Sequence, residues 1–158
     1  MRIGPVYPAR HAFLAAGLCL AAATASAADS AGIAVELNSL QASGDACRIS
    51  LVYTNGLEVT LEALELETVL FDRDGGASRF LVLKSQPLIP GKIRVSQYEL
   101  SGMACEDVGF LLINDVVACK GEGLDPAICL KHLAPSSRTQ AGLVLTQADR
   151  KAAAAEAE

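Results

Sequence analysis

From Ile33 onward apolar residues recur at every second position over long stretches, the period of half-buried strands. Ile33, Val35 and Leu37 alternate with Ala34, Glu36 and Asn38, and Ser43-Gly44-Asp45 turns the chain. Cys47, Ile49, Leu51 and Tyr53 then share one face of a second strand, opposite Arg48, Ser50 and Thr54, and Asn55-Gly56 reads as the turn after it. A helix over 59–71 would line up Glu58, Glu62 and Glu65. The eight-residue alternation of Leu64, Leu66, Thr68 and Leu70 with Glu65, Glu67, Val69 and Phe71 favours a strand from Ala63 to Phe71, preceded by a shorter extended piece. Asp72-Arg73-Asp74-Gly75-Gly76 is the clearest hairpin signal, and Arg79 to Lys84 returns from it. An Asp-x-Asp-Gly run also opens calcium loops, but Leu83 stands where such a loop needs its last Glu, so a plain turn is expected.

Pro87-Leu88-Ile89-Pro90-Gly91 reads as a loop. In the strand Ile93 to Leu100 the apolar phase shifts between Val95 and Tyr98, which predicts a bulge or a sheet edge. Val108 to Val117 is nearly continuous apolar sequence, as in a strand buried on both faces, with a bend at Asn114-Asp115. Asp125-Pro126 supplies an N-cap and an N1 proline for one short helix through Leu133, with Pro135 as its stop. Leu143 to Thr146 is a last candidate strand, and Ala152 to Glu158 is either a frayed helix or disordered. Short strands about ten residues apart, joined by Gly, Asp and Pro turns, predict a mainly β chain: an immunoglobulin-like β-sandwich with one short helix near the C-terminus.

The N-terminus departs from this pattern. Arg2 and Arg10 precede an apolar run from Ala12 to Ala23, and Ala25-Ser26-Ala27 fits the small-residue cleavage rule. Residues 1–27 are therefore expected to be a signal peptide, residues 28–147 the sandwich domain and 148–158 an Ala/Glu-rich tail. The apolar run is shorter than the roughly 20 residues a membrane helix needs, so no membrane span is expected after cleavage. Ala9-Arg10-His11-Ala12-Phe13-Leu14 approaches a twin-arginine signal, with His11 in place of the second arginine. Export by the Sec route is the first expectation, a degenerate twin-arginine signal the second, and the periplasm the destination of both. Removing Arg2 and Arg10 leaves 11 basic against 18 acidic residues and moves the net charge from −5 to −7. Such a surface repels nucleic acid, which is not an expected partner.

Cleavage also removes Cys19 and leaves Cys47, Cys105, Cys119 and Cys129, an even set in an exported chain. Three pairings are possible; spacing favours Cys119 with Cys129 across a short loop and Cys47 with Cys105 as a long-range staple. No C-x-x-C pair is present, so neither a zinc site nor a thioredoxin-like site is indicated. His132 follows Cys129 by three residues, but a cysteine held in a disulfide is no nucleophile.

With His132 as the one histidine beyond the signal, and with no G-x-S-x-G, phosphate loop or H-E-x-x-H, no catalytic, cofactor or metal residues are assigned and no enzyme is expected. Glu65 and Glu67, with Glu58, Glu62, Asp72 and Asp74, are expected to form an acidic edge, either a solvated face or a surface for a basic partner. Leu66 to Asp72, the turn after it, Pro87-Leu88-Ile89-Pro90-Gly91 and the alternating strand that follows resemble, in that order, exported FxLYD-type sandwich domains. The whole chain beyond the signal, with its four cysteines, is similar to small alphaproteobacterial proteins known by their twin-arginine signal domain. The first resemblance implies the sandwich; the second implies export and no activity. The functional expectation is a non-enzymatic periplasmic domain that binds another cell-envelope protein, as an accessory or assembly factor. A carrier of a small ligand or metal is the alternative.

Overall fold

The computed structural model describes residues 32–156 together with Met1, Arg2 and Gly4, so the rest of the expected signal peptide lies outside the described residues. Eight strands run in chain order: β1 (Ile33–Ser43), β2 (Ala46–Asn55), β3 (Ala63–Asp72), β4 (Ala77–Ser85), β5 (Ile93–Ser101), β6 (Val108–Lys120), β7 (Leu133–Ser137) and β8 (Gly142–Val144). Helix α1 (Pro126–His132) precedes β7, α2 (Gln147–Glu156) ends the described chain, and a 3-10 turn (Cys105–Asp107) leads into β6.

These strands form two four-stranded sheets, ordered β5-β2-β1-β7 and β4-β3-β6-β8. The alternation read from the sequence is the alternation of burial. Ile33, Val35 and Leu37 of β1, Ile49, Leu51 and Tyr53 of β2, and Leu64, Leu66 and Leu70 of β3 are all fully buried between the sheets. Each such side chain contributes about 2 kcal/mol of transfer free energy. The chain is a β-sandwich, with its core in the facing layers.

Turn chemistry sets the crossings. Gly75 takes φ +82 in the β3–β4 hairpin, and Asp72 Oδ1 accepts the Gly76 amide at 2.7 Å. The Asn55-Gly56 turn is not a hairpin turn. Asn55 is fully buried at the end of β2, and its chain crosses to the other sheet through residues 56–62. At α1 the Asp125 carboxylate accepts the Ile128 amide at 2.8 Å, as its place before Pro126 requires.

Two local expectations are corrected. Strand β6 is not buried on both faces: Asn114, Asp115 and Val117 are exposed, because the outer face of its sheet meets solvent. Its pairing with β3 skips Gly109, Asn114 and Val117, three bulges, one of them at the predicted bend. A Cβ at Gly109 would collide with the Asp72 carbonyl, so the first bulge needs glycine. The helix ends at His132 with Leu133 as its C-cap, two residues before Pro135 as expected, and Pro135 itself lies within β7 opposite Val35, at a sheet edge where a missing amide is tolerated. Finally, the helical tail begins at Gln147 as α2, with Thr146 Oγ1 accepting the Asp149 amide and Asp149 Oδ2 accepting those of Leu145 and Thr146.

Both disulfides have the expected partners. Cys47–Cys105 ties β2 in one sheet to the turn that enters β6 in the other, across 58 positions. Cys119–Cys129 holds α1 against β6 across 10. Such bonds fit an oxidising compartment outside the cytoplasm. Among the described residues no helix is long and apolar enough to cross a membrane.

Candidate functional site

Everything after β6 packs toward one lateral side of the sandwich. Strands β7 and β8 are successive pieces of one extended run, the first parallel to β1 and the second parallel to β6. They close their side with short edges, five residues containing a proline and three residues followed by α2. Short strands and proline are the usual guards against edge pairing.

On the opposite side stand β4 and β5, each nine residues long and each the outer strand of its sheet. The 86–92 loop joins them across the two layers. Leu61 and Leu88 exchange backbone hydrogen bonds of 2.9 Å there. The Asn55 amide donates to the carbonyls of Val59 and Leu88, both at 2.9 Å, while its oxygen accepts the Leu57 amide at 3.0 Å. Arg79 donates to the Ser101 carbonyl at 2.9 Å and the Tyr98 hydroxyl to the Lys84 carbonyl at 2.8 Å, so the two edges are fixed relative to each other. Tyr98 also meets the Tyr53 hydroxyl at 3.1 Å. Burial, reinforced by Tyr98, pushes the Tyr53 phenol far above its ordinary pKa, which leaves it a neutral structural group.

The surface chemistry of this side is apolar. Phe80 is 70% exposed on β4, with Val82 beside it in alternation, and Ile93 and Val95 are each 59% exposed on β5. Strand β4 carries a bulge near its start and the exposed Lys84. Strand β5 pairs with β2 from Ile93 to Ser101 without a register shift, so the shifted phase in the sequence marks an edge and not a bulge. It contains no proline and no lysine. Its one charge turned toward the opposite sheet is Arg94, whose Nε is buried with no partner among the described residues.

Comparison with known proteins bears on the fold alone. No family model matches the chain, and no curated relative does. The fold is similar to the solved structure of IrmA from Escherichia coli, with a TM-score of 0.54 at 15% identity over 66% of this chain and 90% of that one. At that identity the likeness shows a shared sandwich and nothing about activity.

The residues singled out in the sequence are distributed differently from the open side. The acidic residues do not make an edge, because β3 is an inner strand between β4 and β6. Glu65 pairs with Lys84 at 3.0 Å across the outer face, and Glu67 accepts from Asn114 at 2.5 Å. His132 ends α1 in an exposed position, and Cys129 is buried in its disulfide, so the two form no nucleophile pair. Among the described residues no three His, Cys, Asp or Glu side chains gather to hold a metal. The β5 edge was invisible to motif reading because it carries no reactive group; the phase shift between Val95 and Tyr98 was its one local signal.

Proposed function

We propose that the protein is an exported, periplasmic, non-enzymatic sandwich that binds another cell-envelope protein by taking an extended segment of it onto β5. The observation that carries this is the open edge: nine regular residues without proline, lysine or bulge, with Ile93 and Val95 exposed on their outer face, on a domain whose other lateral side is blunted. An added strand gains backbone hydrogen bonds along β5, and apolar side chains on it cover Ile93 and Val95. Toward the other end of the edge Glu99 is bridged to Arg48 at 2.6 Å and the chain is acidic overall, which suits a partner segment that is apolar at one end and basic or polar at the other. An acceptor side chain on that segment can also satisfy the orphaned Arg94 Nε.

The test is capture from periplasmic extract by the tagged protein, with mass spectrometry of bound proteins and small molecules. The parent should retain one partner in stoichiometric amount. Ile93→Lys with Val95→Lys should reduce its recovery about tenfold or more, since two desolvated apolar contacts are replaced by edge-blocking charges. Val117→Lys, on exposed β6, should leave capture unchanged. Capture that survives the β5 substitutions, or a co-purifying ligand with no protein, would overturn the proposal.

A further inference from the structure

A second candidate site lies on the closed side, where a polar cleft opens between the 138–141 turn, β8 and α2. Its volume is about 740 Å³, within the range of small-molecule sites, and Arg73, Arg138, Ser136, Thr139, Gln140 and Asp149 supply its polar lining. Two smaller hollows of about 420 and 460 Å³ adjoin it, and Arg73 and Gln140 line all three. An acidic chain thus places Arg73 and Arg138 on one concavity, with Arg150 at its neighbour.

Both arginines of the main cleft are tethered through the same atom. Arg73 Nε donates to the Glu106 carbonyl, and one of its terminal amines lies 3.4 Å from the Gln140 side-chain oxygen. Arg138 Nε donates to Glu36 at 3.0 Å. A guanidinium held through Nε alone keeps terminal amine donors to spare, and the Arg138 guanidinium has no other hydrogen-bonded partner among the described residues. The cleft's own carboxylate, Asp149, accepts from Leu145 at 3.1 Å and Thr146 at 2.8 Å as the cap of α2, so it is engaged at the helix end and forms no ion pair with either arginine among the described residues. What remains are the guanidinium of Arg73, the terminal amines of Arg138 beyond its bridge to Glu36, and the Ser136 hydroxyl, donors of the kind that recognise paired oxyanions; the Thr139 hydroxyl is held within its turn by Ala141.

We propose that this cleft binds a small ligand bearing two or more oxyanion groups, a polycarboxylate or a phosphorylated compound, clamped by Arg73 and Arg138. The site is remote in role from the β5 edge, and its failure would leave the edge reading standing. Titration calorimetry of the purified protein with citrate and with pyrophosphate, at low ionic strength and pH 7, tests it. One-to-one binding of at least one probe is expected; stronger citrate binding marks a carboxylate ligand, and stronger pyrophosphate binding a phosphoryl one. Arg73→Gln and Arg138→Gln should each weaken it about tenfold or more, the loss of one charge-assisted contact, while Lys120→Gln leaves it unchanged. Arg138→Gln decides the matter if Arg73→Gln lowers the melting temperature by freeing the turn at Glu106. No binding of either probe at millimolar concentration, or binding indifferent to both arginine substitutions, would overturn the proposal.

Discussion

Replacing Asn55 with alanine should destabilise the sandwich by about 3–4 kcal/mol, a large share of the 5–15 kcal/mol typical of a domain. The side chain is fully buried and makes three hydrogen bonds that join the 56–62 crossing to the 86–92 loop. Its loss leaves the buried contact to the Leu88 carbonyl unmade, at about 2 kcal/mol, while the groups of Val59 and Leu57 stand in partly buried positions where water replaces the amide at about 0.5–1 kcal/mol each. Asn55→Asp should be worse near neutrality. A carboxylate there would face two carbonyls with no proton to donate, so its folded pKa would rise above the unfolded value of about 3.9. Protonation then favours the folded state, and the variant's deficit relative to the parent should be smaller at pH 4 than at pH 7. The assay is urea unfolding followed by far-UV circular dichroism and tyrosine fluorescence, since the chain has no Trp. A cost below about 1 kcal/mol for Asn55→Ala, or no pH dependence for Asn55→Asp, would refute the view that Asn55 joins the two loops.

Three further variants probe the staples and the cap at the start of α2. Removing Cys47 and Cys105 together as alanines should cost about 4 kcal/mol and removing Cys119 and Cys129 about 3, by loop closure over separations of 58 and 10. Each pair has a fully buried member, so a cavity contribution is common to both and the order reports loop length; equal or reversed costs in urea titrations would count against it. Asp149→Ala should shorten α2 and cost about 1 kcal/mol, seen as lost helical dichroism. Burial works against the Asp149 carboxylate, but the amides of Leu145 and Thr146 and the Thr146 hydroxyl outweigh it and hold the pKa below the ordinary value. Its contribution is therefore present above about pH 4 and lost as pH falls through the lower folded pKa, a loss the alanine variant should not show.

The strands were legible because period two is a local property: Ile33 to Leu37, Cys47 to Tyr53 and Leu64 to Leu70 bury the side chains their alternation marks. The disulfide partners were legible through spacing, and the α1 cap through Asp125-Pro126. What failed depends on neighbours far along the chain. Asn55-Gly56 has the composition of a hairpin turn, yet the partner that fixes Asn55 is Leu88, 33 positions on. The apolar run of β6 has the composition of a doubly buried strand, yet among the described residues no layer covers the outer face at Val117, which is 47% exposed. The acidic residues of β3 could be assigned to a face but not to an edge, because strand order decides which strands are outermost.

The same dependence on strand order explains where the two proposed sites lie. After β6 the chain adds α1, β7, β8 and α2, and all of it covers the side where β1 and β6 would otherwise be the outer strands. That covering creates the concavity between turn and helix that Arg73 and Arg138 line, and among the described residues it leaves β4 and β5 as open outer strands. An edge left open by topology is ordinarily guarded by side chains, since a single lysine at an exposed position discourages pairing. The chain has five lysines and none stands on β5, where Ile93 and Val95 occupy the positions such a guard would take. If the open edge were incidental, Val95→Lys would be neutral or favourable in every assay. The strand-addition reading instead requires that this exposed substitution leave stability within about 0.5 kcal/mol of the parent while clearly lowering partner capture, a separation of folding from binding that no structural role of Val95 would produce.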